Sequence, residues 1–225
     1  MEDGDRSLRI NSHNELDKSK LSNLSHYRFI VATDISRFYH SIYTHSIPWA
    51  FHGRAAAKKD RNTRSSNIFL NRADYILRCG QDGQTIGIPV GPDASRVFAE
   101  IVSTAIDLEF EKRNKIDDLT IVRHVDDVLI GVNSHADAEE ALSRYREAIR
   151  EFELDINENK TRIYSNDYHF SEVWPNDVSM RFDFAINGPR RLIPERLRAA
   201  FEHIFSHATS TGELLPNRWT DFVVI

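Results

Sequence analysis

Three aspartates have the side-chain chemistry and the setting that a metal-dependent reaction needs. Asp34 ends the β-rich run 27–34. The adjacent pair Asp126 and Asp127 lies between two β-branched runs. Bringing these carboxylates together would cost several kcal/mol through mutual repulsion unless a cation lay among them. Because ligand sets made only of oxygen atoms suit Mg²⁺, the three acids are candidate Mg²⁺ ligands.

Each of these acids also has an ordinary structural explanation. An acid at a strand end commonly caps the next helix, and Asp is frequent in hairpin turns because it tolerates the backbone conformations found there. The sequence contains no convincing Ser-His-Asp or Cys-His arrangement, no P-loop and no Cys/His spacing typical of a zinc site. The residues alone therefore leave both explanations open.

Two segments are locally basic although the chain as a whole is acidic. The chain has 34 acidic and 29 basic residues and a formal net charge of -5, which argues weakly against nucleic-acid binding. Residues 54–64 nevertheless hold five basic residues against one acid, and residues 190–198 hold four against one. Either segment is a solvated face or a surface for phosphate groups.

The elements that must position the acids alternate between strands and helices, which predicts a mixed α/β fold. A strand over 27–34, a tight hairpin over 121–132 with the acid pair at its turn, and a strand within 154–165 supply the sheet. Segments 46–59 and 65–79 are predicted to be helical. No repeat of fixed period occurs, which excludes solenoids and propellers.

Two amphipathic helices are predicted to cover this sheet. Asp93 or Ser95 can cap the first helix, and Ser134 can cap the second. Beyond about residue 177 the pattern is aromatic and basic without clear periodicity. The predicted apolar stripes are Phe98, Ile101, Val102, Ala105 and Leu108 in the first helix and Ala138, Leu142, Tyr145, Ile149 and Phe152 in the second.

Length and composition exclude several classes of protein. A chain of 225 residues with 40% hydrophobic and 28% charged residues can bury a core, and 9 Gly with 7 Pro exclude a collagen-like chain. We expect no signal peptide and no membrane span, because the first 26 residues are polar and no later apolar run is long enough. The single cysteine, Cys79, is expected to be buried and favours a reducing, cytoplasmic location.

Four short motifs carry a resemblance to a known family. TDISRFY from Thr33, GIPVGP from Gly87, HVDD from His124 and INENKT from Ile156 resemble motifs A to D of a reverse transcriptase palm, in their usual order. The flanking text SIYTHSIPWAFHGR and VGPDASRVFAEI is similar to bacterial abortive-infection and defence-associated reverse transcriptases. The resemblance implies a right-hand polymerase palm, an antiparallel sheet with packed helices, that synthesises DNA on an RNA template in antiviral defence.

The resemblance also implies a two-metal nucleotidyl transfer. Asp34 and Asp126 would bind two Mg²⁺, with the Ile35 carbonyl assisting and Asp127 as the weaker partner; Mn²⁺ is a substitute metal. Two ions ~3.5 to 4 Å apart activate the primer 3′-hydroxyl and stabilise the departing pyrophosphate. No protein nucleophile is needed for such a reaction.

The same resemblance assigns residues to the substrate. Tyr39 lies where the family places an aromatic ring against the sugar C2′, which predicts dNTP use; alternatively, Phe38 or Tyr39 is merely part of the core. Lys160 matches the motif D lysine near the triphosphate. The motif B loop, where missing side chains let the backbone approach template and nucleotide, is Gly87, Pro89 and Gly91. The expected nucleic-acid backbone contacts are Arg54, Lys58, Lys59, Arg61 and Arg64.

The sequence departs from the family pattern in three places. His124 replaces the aromatic hydroxyl that begins motif C but can still contact the primer end, and Val90 replaces a glutamine in motif B. Only 33 residues precede Asp34. We therefore expect most of the fingers to be missing and the chain to be a fragment of a longer polymerase.

This interpretation predicts three regions and a set of partners. Residues 1–26 are expected to be a remnant of the fingers, 27–176 the palm and 177–225 the start of an incomplete thumb. The expected partners are an RNA template, a DNA primer or product, dNTPs, and the proteins or RNA of a defence system, with no membrane. Two alternatives stay open. The first is an RNA-dependent RNA polymerase, which generally has Asp where Tyr39 stands, and the second is a palm-like nucleic-acid-binding scaffold without catalysis.

Overall fold

The computed structural model describes residues 13–165, 168, 173–187 and 189–211. It divides into two compact units, Met1–Tyr168 and His169–Ile225. Of the predicted fingers remnant, residues 1–12 lie outside the described residues, and so do the last residues of the predicted thumb region, 212–225.

The first unit holds a sheet and helices, and the second unit is helical in the part that the structure describes. The first unit contains α1 (His13–Leu24), β1 (Phe29–Asp34), α2 (Phe38–Ser41), α3 (Ser46–His52), α4 (Arg54–Lys59), α5 (Asn71–Cys79), α6 (Asp93–Arg113), β2 (Thr120–His124), β3 (Asp127–Val132), α7 (His135–Arg150) and β4 (Arg162–Ser165). The second contains α8 (Val173–Ile186), a 3₁₀ turn (Arg190–Leu192) and α9 (Ile193–Thr211).

The sheet has four antiparallel strands in the order β2-β3-β1-β4. Hairpin β2–β3 aligns Thr120 with Gly131 and His124 with Asp127, while β1 pairs with both β3 and β4. The central strands carry β-branched residues, which pack well on a pleated surface buried against helices. The predicted mixed α/β fold with an antiparallel palm-like sheet is confirmed, as are the strands predicted in all three segments.

Helix α7 covers the sheet as its sequence predicts. Ser134 is its N-cap: the Ser134 hydroxyl oxygen accepts the Asp137 N–H at 3.1 Å. Every residue of the predicted stripe is buried, and Tyr145 and Ile149 are fully so. They pack in one apolar cluster with Val31 and other residues of the central strands, so burial of this stripe holds the helix on the sheet.

Helix α6 begins where expected and buries the predicted stripe except at one residue, Leu108. Its N-cap is Pro92, and neither Asp93 nor Ser95 caps it, so that prediction is wrong. Leu108 of the predicted stripe is 51% exposed. The helix packs against both α3 and α7; Val102 and Ala105 of the stripe are buried, and Phe98 and Ile101 are half-buried against the core. The residues buried along it are Ser95, Ala99, Val102, Ser103, Ala105, Ile106 and Phe110.

Three further expectations need correction. Cys79 is exposed rather than buried, because it is the last residue of the short helix α5. The helix predicted over 65–79 begins only at Asn71, whose side-chain amide donates to the Asp60 and Asn62 carbonyls and holds the preceding segment in turns. Helices α8 and α9 form although no periodicity predicted them. Among the described helices, none combines the length and hydrophobicity needed to cross a lipid bilayer.

Gly131 in β3 gives a direct test of this packing. A Cβ atom built there would lie 2.8 Å from Tyr27 Cγ and closer still to Tyr27 Cδ2. Tyr27 is 8% exposed, and its hydroxyl donates to Asp118 at 3.0 Å, so the ring cannot move freely. We expect Gly131→Ala to lower the free energy of unfolding by about 1–3 kcal/mol. Urea denaturation followed by circular dichroism measures this loss.

Gly80→Ala is the matched control for that substitution. Gly80 has φ -74, and its added Cβ would lie 3.5 Å from the Leu77 carbonyl oxygen, an ordinary contact. We expect this variant to keep or slightly raise the stability, since alanine restricts the unfolded chain. Equal denaturation midpoints for the two variants would contradict the packing described for Gly131.

Candidate active site

The sheet register brings the three aspartates together at one end of β1 and β3. Asp34 is the antiparallel partner of Asp127, so their side chains leave the same face. His124 pairs with Asp127, which leaves Val125 and Asp126 as a two-residue hairpin turn. The Ile35 N–H donates to the Asp126 carbonyl at 3.1 Å and ties this turn to the end of β1.

The backbone around the acids adopts conformations that usually need glycine. Val125, a β-branched residue in the hairpin turn, has φ 58, and Arg37, three residues after Asp34, has φ 47. Such residues cost about 1–3 kcal/mol each and persist only where the surrounding structure holds them. The hairpin pairing and the Ile35–Asp126 hydrogen bond supply that support on the Val125 side.

The three carboxylates differ in burial but act on one another. Asp34 is 5% exposed, Asp126 is half-buried and Asp127 is exposed. Burial raises the pKa of Asp126 above its ordinary value, and the negative charges of Asp127 and Asp34 raise it further. A hydrogen bond from its own backbone and the positive charge of Lys160 partly oppose this rise in pKa. The Asp126 carboxylate is thus close enough to the other two to feel their repulsion.

Lys160 supplies a cation to this acidic group. Its Nζ donates to Asp34 Oδ2 at 2.6 Å, and this hydrogen bond is the main reason that the pKa of Lys160 is raised. The loop before β4 holds Lys160 there, because the Asn157 N–H donates to the Asp34 carbonyl at 2.7 Å and the Thr161 and Thr33 hydroxyls are 2.9 Å apart. The lysine side chain is 62% exposed, so it can leave Asp34 without disturbing the core.

The acids fit a divalent cation by their chemistry, although they do not enclose one as they stand. Within the described part of the chain, no group of three or more His, Cys, Asp or Glu side chains is arranged to hold a metal ion. The negative charges that act on Asp126 and the contact of Asp34 with the Lys160 ammonium group both indicate that a bound cation would stabilise this cluster. Asp34, Asp126 and Asp127 offer only oxygen atoms, which suits Mg²⁺. Ile35, the predicted carbonyl ligand, is fully buried behind them.

Of the two adjacent aromatic residues after β1, Phe38 is core and Tyr39 faces the site. Phe38 is 2% exposed, whereas Tyr39 is half-buried. Burial raises the pKa of Tyr39, and the nearby charge of Arg96 opposes this while the charge of Asp126 adds to it. The Tyr39 carbonyl accepts a hydrogen bond from the Ile88 N–H at 2.8 Å, which links the backbone of Tyr39 to the glycine-rich loop.

That loop requires glycine at Gly87. The residue has φ +90, and a Cβ there would lie 3.3 Å from the His40 carbonyl oxygen. Its N–H donates to the Ile42 carbonyl at 2.9 Å. The predicted loop residues Pro89 and Gly91 are exposed at its tip, where Gly91 has φ +116. The loop therefore packs its backbone directly on the chain that carries Tyr39.

An arginine that sequence reasoning missed braces the hairpin next to His124. Arg123 Nε donates to Asp107 at 2.8 Å, and its guanidinium also donates to Glu100 at 2.7 Å and 3.1 Å. Only 13% of the Arg123 side chain is exposed. The sequence features that could have predicted this contact are an arginine in an apolar strand and two acids seven residues apart on α6. His124 itself is half-buried beside this brace.

The predicted phosphate-binding residues differ in how far they are already paired. Arg54 pairs with Glu153, donates to the Glu151 carbonyl at 3.1 Å and lies 4.6 Å from the Trp49 ring centroid. Lys58 lies 5.2 Å from the same centroid and is exposed. Lys59, Arg61 and Arg64 are exposed as well. Their role in binding nucleic acid stays a prediction.

Replacing Lys160 tests whether it competes with a metal ion for Asp34. We expect Lys160→Met to tighten Mn²⁺ or Mg²⁺ binding to the chain by about tenfold, because a competing cation is removed from beside the carboxylates. Isothermal titration calorimetry without nucleotide measures this affinity. Lys112→Met, which removes an exposed ion pair with Glu109 on α6, is the control and should leave the affinity unchanged. Unchanged or weaker binding by Lys160→Met would contradict the competition.

The chain can also be compared with known proteins. No curated protein sequence matches it. It is similar to the structure of apo telomerase from Candida tropicalis truncated from the C-terminal domain, with 16% identity and a TM-score of 0.49 over 72% of this chain and 37% of that one. It is also similar to apo telomerase from Candida tropicalis, with 14% identity and a TM-score of 0.48 over 70% of this chain and 32% of that one. A third similar structure is telomerase from Candida albicans in complex with the TWJ fragment of telomeric RNA, with 11% identity and a TM-score of 0.44 over 89% of this chain and 43% of that one. Similarity at this level is too low to argue from, and the chain spans less than half the length of each.

The family assignment comes from the sequence over most of its length. The model of the family described as reverse transcriptase (RNA-dependent DNA polymerase) matches residues 1–182. This range contains all three aspartates, Tyr39 and the loop around Gly87. The chain belongs to the reverse transcriptase (RNA-dependent DNA polymerase) family.

Proposed function

We propose that this chain is the palm of an RNA-directed DNA polymerase that transfers nucleotides from dNTPs to a primer end with Mg²⁺. One observation carries the proposal: the register of β1 and β3 gathers Asp34, Asp126 and Asp127 beside Tyr39. The chain belongs to the reverse transcriptase family, and the sequence around these residues resembles motifs A and C of its palm, which supports the proposal. Because the chain spans less than half the length of the similar solved structures, the activity is proposed for the site it carries.

In this proposal the acids hold the metal ions and Lys160 serves the triphosphate. Asp34 and Asp126 are the ligands, with Asp127 as the weaker partner. When bound, two such ions activate the primer 3′-hydroxyl and stabilise the leaving pyrophosphate. Lys160 stays next to the acids on a long exposed side chain, so its ammonium group can move from Asp34 to the pyrophosphate and donate a proton to it.

Tyr39 is proposed to exclude ribonucleotides. The charges of Arg96 and Asp126 both act on its hydroxyl group, and its backbone is fixed through Ile88 on the loop that begins at Gly87. A rigid ring at that place would contact the sugar C2′ and leave no room for a hydroxyl group. His124, half-buried at the end of β2, is proposed to contact the primer end.

A primer-extension assay tests the polymerase function. The full chain with Mg²⁺, a primed RNA template and labelled dNTPs should extend the primer, and Asp126→Asn should reduce the rate by ~10³-fold or more, since metal charge stabilisation is worth several kcal/mol. Asp117→Asn, an exposed acid before β2, is the control and should keep the rate. Equal rates of dNTP incorporation by the wild type and Asp126→Asn would contradict the proposed polymerase activity. A non-catalytic nucleic-acid scaffold, which the Lys160–Asp34 pair favours, would then be the better interpretation.

The sugar specificity tests the role of Tyr39. We expect Tyr39→Ala to raise incorporation of ribonucleotides relative to deoxyribonucleotides by about tenfold, because shape exclusion in a pocket is worth about 1–3 kcal/mol. Tyr39→Phe keeps the ring and should keep the selectivity. Single-nucleotide extension with matched dNTP and rNTP measures the ratio. A wild-type chain that already prefers rNTPs would instead favour an RNA-dependent RNA polymerase.

The biological setting is proposed from sequence similarity alone. The segments around Tyr43 and Val97 are similar to bacterial defence-associated reverse transcriptases. We therefore propose a role in antiviral defence in the cytoplasm, with an RNA template, a DNA primer or product and defence-system proteins or RNA as partners. No membrane partner is proposed.

A further inference from the structure

A second concave site lies beside the candidate active site, between α3, α4 and α5. It has a volume of about 710 Å³, within the range of pockets that bind small molecules or single nucleotides. Its wall includes the segment from Ser41 to His45 and Ile86 of the glycine-rich loop. The Tyr43–Ile86 bridge and the Thr44 N–H, which donates to the Thr85 carbonyl at 2.8 Å, join these two parts of the wall.

The cavity carries positive charge that the protein does not neutralise. Four cations line it, Arg54, Lys58, Arg61 and Arg78, against the acids Asp74 and Glu153. Arg54 is paired with Glu153, and Arg78 Nε donates to Asp74 at 3.1 Å. Within the described residues, neither Lys58 nor Arg61 forms an ion pair with a carboxylate. Two exposed cations in a concave surface suit an anionic group such as a phosphate.

Asp74 fixes the donors at the back of the cavity. Only 7% of its side chain is exposed, and its two oxygens bind His45 Nδ1 at 2.7 Å and Arg78 Nε at 3.1 Å. The buried Asp74 carboxylate therefore holds the His45 imidazole and the Arg78 guanidinium in place before any ligand binds. The Ser41 hydroxyl donates to the Ser36 carbonyl at 3.1 Å, so the contacts of this serine do not indicate a Ser-His-Asp catalytic triad.

Part of the lining is apolar and aromatic. Ile86 is 65% exposed, and the half-buried Tyr43 ring packs edge-on against Trp49 at 5.5 Å between centroids. The Arg54 guanidinium lies over the Trp49 ring, 4.6 Å from its centroid. Aromatic rings and guanidinium planes are the surfaces on which proteins stack nucleic-acid bases. The cavity thus combines cations that suit a phosphate with apolar and aromatic surface that suits a base.

We propose that this cavity binds one nucleotide unit, with its phosphate on Lys58 and Arg61 and its base against Tyr43 and Ile86. The proposal deepens the polymerase function and rests on it for the source of the ligand: the unit belongs to a single-stranded nucleic acid that passes the glycine-rich loop, or it is a free nucleotide. Both sources share the same phosphate and base chemistry.

Charge reversal tests the proposal by binding rather than by catalysis. Fluorescence anisotropy of a labelled twelve-nucleotide RNA, and its competition by ATP, dATP or inorganic triphosphate, give the affinities. We expect Lys58→Glu and Arg61→Glu each to weaken binding about tenfold and to lower the slope of log affinity against log salt by about 0.7. Tyr43→Leu, which keeps an apolar side chain without a ring, should weaken binding without changing that slope. Lys115→Glu, an exposed lysine before β2, is the charge-matched control.

The outcomes separate the possibilities. If both charge variants lose RNA binding and ATP does not displace the labelled RNA, the site binds a nucleic-acid strand. If ATP or dATP displaces the RNA but inorganic triphosphate does not, the site binds a free nucleotide. Equal losses in Lys59→Glu and Arg64→Glu, which do not line the cavity, would overturn the proposal in favour of a diffuse basic surface. Unchanged binding in Lys58→Glu and Arg61→Glu would overturn it as well. Because the readout is binding and not nucleotide incorporation, a failed polymerase assay does not decide this test.

Discussion

Repulsion among three carboxylates at the end of one sheet is the constraint on which the site depends. Antiparallel pairing fixes Asp34 opposite Asp127, and the hairpin turn adds Asp126. Burial raises the pKa of Asp126 and the charges of Asp127 and Asp34 raise it further, so without a cation this arrangement opposes folding. Lys160 offsets part of that repulsion through its hydrogen bond to Asp34. The same ammonium group competes with any metal ion that the acids would bind.

The rest of the first unit can be understood as support for that unfavourable cluster. The acids lie at the ends of the two central strands, and Val31, Val128, Ile130 and Val132 of these strands are buried in one apolar cluster with residues of α6 and α7. Burial of apolar surface is the main favourable term in folding, and it can offset both the repulsion and the strained backbone at Val125 and Arg37. The brace from Arg123 to α6 then holds the hairpin against the helix layer. The buried apolar residues of the strands thus stabilise the fold, and the carboxylates at the strand ends destabilise it.

The parts that the sequence predicted are those set by local pattern. β-Branched runs marked the strands, a capping serine with a regular stripe marked α7, and the acid pair marked the hairpin turn. The sequence did not predict that α6 also buries Ala99, Ile106 and Phe110, because its packing between α3 and α7 depends on contacts far apart in the sequence. The Lys160–Asp34 pair joins residues 126 positions apart, and motif D alone placed Lys160 near a triphosphate rather than on an acid.

The helices of the second unit were missed for a related reason. The segment beyond residue 177 mixes aromatic and basic residues, and several large apolar side chains there are exposed, among them Met180 and Phe184. A helix that leaves such residues exposed lacks the clean apolar stripe from which periodicity is read. By contrast, Asp34, Asp126 and Lys160, from motifs A, C and D, come together at one end of the sheet, as the resemblance to a palm implies, and their role in catalysis stays a prediction.

The segment from Tyr39 to His45 connects the cluster of acids to the basic cavity between α3, α4 and α5. At its start Tyr39 lies beside the acid turn, and at its end Tyr43 and His45 line the basic cavity. The glycine-rich loop is hydrogen bonded along this whole segment, through Ile88 at one end and Thr85 at the other. Since the Gly87 backbone lies directly on His40, neither side can move far without the other. A nucleotide held in the basic cavity and one held at the acids would therefore share a single rigid wall.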